Sequence, residues 1–167
     1  MALNGTQLAE SIRSIMGYPT PTSDQLIGWS TGIVNEIVFN GSATYGNTPS
    51  GHPISGLSAS SMADRIITEV SQYPVVTTQL IQFCAGIVEH IHSNAIVTYS
   101  SPIKNPPTEP LGWYLGGTIS GMTAAGMAES IRSNVGYTTV SNLLLAECSA
   151  IVSHIHDFGQ VEWGIIS

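Results

Sequence analysis

Ionised side chains are scarce in this sequence. Asp, Glu, Lys and Arg make up 9% of its 167 residues, against roughly a quarter in an ordinary soluble domain. Eleven acids face four cations, Arg13, Arg65, Lys104 and Arg132, for a formal net charge of −7. That balance argues against a nucleic-acid partner, whose phosphates need clustered Lys and Arg. It argues equally against an anionic membrane surface. Cysteine is nearly missing too: Cys84 and Cys148 are too few for a disulfide framework and lack zinc-site spacing. No apolar run approaches the ~20 residues that span a bilayer. The opening "MALNGTQLAE" has neither a basic segment nor an apolar run, so it is expected not to be a signal peptide. GxSxG, HExxH, paired CxxC and EF-hand patterns are missing, and Gly116-Gly117 lacks the lysine of a phosphate-binding loop. The expectation is therefore a protein without catalysis and without a cofactor.

What the chain does have is self-similarity. "AESIRSIMGY" at 9–18 returns as "AESIRSNVGY" at 128–137, and "SMADRIITEVSQYP" is a more divergent relative of both. Three copies of a longer unit follow from this, at 4–45, 58–99 and 123–167, the last including a C-terminal strand. Leu8, Met62 and Met127 align, as do Glu10, Asp64 and Glu129, and Ile33-Val34, Ile87-Val88 and Ile151-Val152. A linker at 46–57 and a Pro/Gly-rich arm at 100–122 separate the copies. Prolines 102, 106, 107 and 110 favour extended backbone in the arm.

Each copy reads as two helices and a strand. Asn4, Ser58 and Thr123 are expected to cap the first helix, and Ser23, Thr77 and Ser141 the second. Gly17 and Gly136 end the first helix in two copies. The second helix carries a one-sided apolar stripe: Leu26, Ser30, Ile33, Val34 and Ile37; Leu80, Cys84, Ile87, Val88 and Ile91; Leu144, Cys148, Ile151, Val152 and Ile155. "SATY", "AIVTY" and "GQVEWGII" then alternate as strands do. The expected fold is mainly α with short β-strands, three tandem copies of a helix-turn-helix-strand unit whose half-covered faces complete one another.

Histidine is the sharpest chemical candidate. "IVEHIH" and "IVSHIH" place His90 and His92 level with His154 and His156, and Glu36 stands where the other copies have His90 and His154. Were the copies arranged about an axis, Glu36, His90 and His154 could converge as a two-histidine, one-carboxylate metal set. The competing reading puts them at the last helical turn, satisfying free carbonyls and the helix dipole. Residues two apart point to opposite sides of a helix, so a His-x-His pair can clamp a metal only on a strand. Cys84 and Cys148 read as packing residues, and the arginines as partners of nearby carboxylates or carbonyls.

The segments "GLSASSMADRI…YP…TTQLIQFCAGIVEHI" and "GMTAAGMAESI…GY…SNLLLAECSAIVSHI" together resemble small repeat-containing virion proteins of tailed phages, particularly those infecting cyanobacteria. The resemblance implies a structural protein of the capsid surface, neck or tail, assembled in the host cytoplasm. Its partners would be other virion proteins or further copies of itself. Aromatic and aliphatic anchors would carry such contacts, and the candidates are Trp113, Tyr114, Trp163, Ile165 and Ile166. Two other readings stand beside it: a metal-binding module or metal-dependent enzyme on Glu36, His90 and His154, and a secreted glycan-binding module using exposed Tyr and Trp.

Overall fold

A computed structural model describes residues 2–46, 48–71, 74–102 and 114–167. Among these the chain forms six α-helices and six short strands, a mixed α and β architecture. The helices make three antiparallel hairpins. They are α1 (Gly5–Met16) with α2 (Asp24–Asn40), α3 (Ala59–Glu69) with α4 (Thr78–Asn94), and α5 (Ala124–Val135) with α6 (Asn142–Phe158). The strands are β1 (Ser42–Ala43), β2 (His52–Ser55), β3 (Ile96–Pro102), β4 (Tyr114–Ser120), β5 (Gln160–Glu162) and β6 (Ile165–Ile166).

Local chemistry fixes the helix ends. All six expected caps hold: Asn4, Ser23, Ser58, Thr77, Thr123 and Ser141 each accept, at the side-chain oxygen, the N–H three residues on. Gly17 and Gly136 take the left-handed conformation that stops α1 and α5 (φ 68° and 84°). At Gly17, the Tyr18 N–H then returns to the Arg13 carbonyl and the Gly17 N–H to Ser14, closing the free end of α1. α2, α4 and α6 are all 17 residues long, about 25 Å. Their expected stripes are buried except at Leu26 and Leu80, which are half-buried.

The strands close into a small antiparallel barrel in the order β1-β2-β3-β4-β5-β6, with β6 returning to β1. Its buried positions include Ala43, Ile54, Val97, Ile119, Val161 and Ile166, all in one core with the helical stripes. Alternating burial along β2 (His52 and Ile54 in, Pro53 and Ser55 out) is the period-two pattern of a sheet with one dry face.

The barrel corrects the expected single strand per unit. β2 lies in the segment 46–57 and β4 in the segment 100–122, both read from sequence as connectors without regular structure. "GQVEWGII" is not one strand but a hairpin, β5 and β6. Trp163 and Gly164 turn the chain with φ of 54° and 75°, as a two-residue hairpin turn of twist-compatible type requires.

Neighbouring hairpins approach closely where a side chain is missing. A Cβ on Gly32 of α2 would lie 2.5 Å from the Ile66 Cα in α3, and one on Gly86 of α4 would overlap the Ile131 backbone in α5. The ninth residue of α6 is Ala150 instead, and α6 packs less closely on α1 than α2 on α3 or α4 on α5.

Candidate functional site

The strand ends of the helices hold the histidines. Glu36, His90 and His154 each occupy the thirteenth position of α2, α4 and α6, and all three are buried. They do not converge. Glu36 Oε1 accepts the Ser58 N–H at 2.8 Å, His90 Nε2 the Thr123 N–H at 3.1 Å, and His154 Nε2 the Asn4 N–H at 3.1 Å. Each side chain thus satisfies the N-cap amide of the next helix around the molecule, α3, α5 and α1. The convergent metal set is corrected by this geometry: the three groups serve three separate helix starts. Among the described residues no group of three His, Cys, Asp or Glu side chains is arranged to hold a metal ion.

The environments differ as the residues do. Ser61 Oγ, Asn40 Nδ2 and Arg65 Nε all donate to Glu36 Oε2, at 2.6, 2.8 and 2.9 Å. Burial raises the Glu36 pKa, but these donors outweigh it and hold the carboxyl below its ordinary value. At His90 the residue corresponding to Ser61 is Gly126, whose missing Cβ would sit 2.5 Å from the imidazole Cε1; the larger ring needs that space. Burial lowers the pKa of both His90 and His154, with Asp157 opposing it at His154. A neutral imidazole that accepts at Nε2 carries its proton on Nδ1. For His154 that nitrogen is buried and without a partner.

The flanking pairs stay apart. His92 and His156 lie on helices, two residues beyond His90 and His154, so neither His-x-His pair forms a clamp. His92 Nε2 accepts the Leu57 N–H at 3.3 Å, whereas His156 Nε2 is buried unpartnered. Cys84 and Cys148 are fully buried, and burial pushes both thiols up to about 12, far from the thiolate a nucleophile needs. Arg65 pairs with Glu36, Arg132 binds Glu129 and the Tyr137 carbonyl, and Arg13 reaches the Tyr18 carbonyl. These are the local roles expected of them.

The contact anchors fare unevenly. Trp113 lies outside the described residues, and Tyr114 opens β4. Trp163 is half-buried, its ring edge-on to Tyr45 at 5.9 Å between centroids. Ile165 is 66% exposed, but Ile166 is completely buried in the barrel. Ile166 is therefore a core residue and is withdrawn as an anchor, because alternation along β6 sends adjacent side chains to opposite faces.

The opposite end of the molecule holds a feature that the sequence reading missed. The hairpin turns lie there, and the first turns of α2, α4 and α6 meet. The sixth residues of these helices are Trp29, Phe83 and Glu147. Trp29 and Phe83 pack edge to face at 5.8 Å. Glu147 lines three adjoining cavities of about 380, 340 and 460 Å³, the first shared with Trp29, Phe83 and Tyr137. Burial alone raises the Glu147 carboxyl to about 7. Around this depression Tyr18, Val75, Tyr137 and Leu143 are 40–63% exposed. The signal was present in the aligned stripes, one position before Ser30, Cys84 and Cys148, where two aromatics correspond to one acid.

Compared with protein-family models, with characterised proteins and with solved structures, the chain matches none.

Proposed function

We propose that the chain is a non-enzymatic assembly protein, a structural component of a tailed-phage virion, built from three tandem copies of a helix-turn-helix-strand unit. It acts by docking on other virion proteins or on further copies of itself. Support for the copies comes from the six matched caps, the three 17-residue helices, and the thirteenth-position residues that each bind the next helix start.

The observation that carries the docking role is the hairpin-turn face. Tyr18, Val75, Tyr137 and Leu143 present apolar surface around cavities floored by Trp29 and Phe83. Aromatic and aliphatic anchors beside a preformed cavity are what a contact hot spot needs, and sparse surface charge opposes association only weakly. A helical scaffold in which three helix starts are each held by a side chain of another helix suits a mechanical part.

Light scattering on the purified chain and co-sedimentation with purified particles from its source test the reading. The expected result is self-association or stable retention on the particle, abolished in a Val75→Asp, Leu143→Asp double variant. A wild-type chain that stays monomeric and is not retained overturns it.

A further inference from the structure

Glu147 is half-buried, and its side chain lines three adjoining cavities at the hairpin-turn end. Among the described residues it has neither a hydrogen-bond partner nor an ion-pair partner. The cations of the described chain are engaged elsewhere: Arg65 at Glu36, Arg132 at Glu129 and the Tyr137 carbonyl, Arg13 at the Tyr18 carbonyl. None of them lines the cavity of about 380 Å³ that Glu147 shares with Trp29, Leu80, Phe83 and Tyr137. The rest of that lining is Pro74, Val75, Thr77 and Gln79. An aromatic and aliphatic wall with one half-buried, unpartnered acid is complementary to one ligand chemistry: an apolar body carrying a positive charge. Ring faces attract cations by their quadrupole, and a desolvated carboxylate gains most from a partner able to donate charge-assisted hydrogen bonds.

We propose that this cavity binds an ammonium group borne on an apolar body, with Glu147 taking the charge and Trp29, Phe83 and Tyr137 taking the body. The site lies on the face assigned to docking and deepens that reading by naming the chemistry it recognises. The ammonium belongs either to a free aryl- or alkylamine or to a lysine beside an apolar residue on a partner protein.

Phenethylammonium is the probe, with phenethyl alcohol as its neutral match and 3-phenylpropionate as its anionic one. Binding is followed through the amide resonances of Phe83 and Tyr137 and the Trp29 indole N–H, at a pH above the Glu147 value of about 7. The amine is expected to bind about tenfold or more tightly than the alcohol, a difference of about 1.4 kcal/mol, and the acid not at all. Glu147→Gln, with its fold checked by thermal melting, is expected to erase that preference. Trp29→Leu is expected to weaken amine and alcohol alike. Equal binding of amine and alcohol by the wild-type chain overturns the proposal. So does a preference that survives Glu147→Gln, or no amine binding in the millimolar range.

The dipeptide acetyl-Phe-Lys-amide separates the sources. Tighter binding than the free amine assigns the site to a partner's lysine, and weaker binding assigns it to a small amine. The wild-type chain itself separates the two proposals. Association without an amine preference removes the amine site alone, whereas an amine preference in a chain that neither self-associates nor is retained on the particle removes the docking reading alone.

Discussion

At Glu36, His90 and His154, one backbone N–H is satisfied in two chemical ways, and the difference sets how the fold responds to pH. The imidazoles accept only while neutral, and burial holds their pKa below the ordinary 6.5. The unfolded chain therefore binds more protons, so their contribution is complete above about 6.5 and is lost as pH falls through the lowered folded value. His156, also buried and lowered, acts in the same sense. Glu147 has the opposite sign. Its folded pKa of about 7 stands above the ordinary 4.5, so folding takes up a proton and stability falls as pH rises from 4.5 to 7. At about 1.4 kcal/mol per unit, Glu147 costs at most about 3 kcal/mol at neutral pH. Urea unfolding across this window separates the two terms. Glu147→Gln is expected to raise stability at pH 7.5 by about 1–3 kcal/mol and to steepen the acid-side loss. His154→Gln, which keeps an acceptor for the Asn4 N–H, is expected to make that loss shallower. A Glu36→Ala variant strips one acceptor from Ser58, Ser61, Asn40 and Arg65 together. Leaving those donors unpaired is expected to cost about 3 kcal/mol, read as a lower urea midpoint at unchanged slope.

Helices pack here by omission of side chains, and the effect of restoring one differs between elements. Gly86→Ala places a methyl into the Ile131 backbone, which cannot move like the end of a flexible side chain. The expected cost is about 2–3 kcal/mol from overpacking, despite the better helix propensity of alanine. Ala150→Gly in α6 removes a fully buried methyl as well as helix propensity, and is expected to cost about 1–2 kcal/mol; thermal melts of the two variants give the comparison. The helices themselves were legible in the sequence, because caps, stripes and stop glycines are local signals, and every expected cap is in place. The barrel was not. β1 and β6 have two residues each and pair with each other at one register position, Ser42 with Ile165, too little for an alternating pattern to show. Gly51, Pro53 and Gly56 made β2 look like a turn. The destinations of Glu36, His90 and His154 were half legible: their position at the last helical turns was read, but each binds the start of a helix far along the chain or at its other end. The depression at Glu147 was missed because a single acid on an amphipathic helix looks solvent-facing until three helix starts are brought together.

Across the whole molecule, closure depends on a seam between the first and last segments. β1 meets β6 through the pair Ser42–Ile165 and the Ala43 N–H to the Gly164 carbonyl at 2.9 Å. The Asn4 N–H reaches His154 there, and α1 packs on α6 less closely than the glycine-bearing α2 and α4 pack on α3 and α5. Few backbone bonds and looser packing mark this as the place where the fold opens first. Ile166 anchors the seam from inside: fully buried, it seals the barrel against Gly41 and its neighbours, while Ile165 beside it is 66% exposed. Ile166→Ala is therefore expected to cost about 2–4 kcal/mol through lost burial and the cavity left behind, and Ile165→Ala to stay within about 0.5 kcal/mol. The two also differ in where the loss is felt. Amide hydrogen exchange in the Ile166→Ala variant should accelerate first at Asn4, Ala43 and Gln160, whose N–H groups bond across or beside the seam. Amides of α4 and α5, locked through Gly86, should follow only at the global unfolding rate. Equal acceleration in both regions would show that the molecule has no preferred line of opening, and that the hairpins and barrel unfold as one unit.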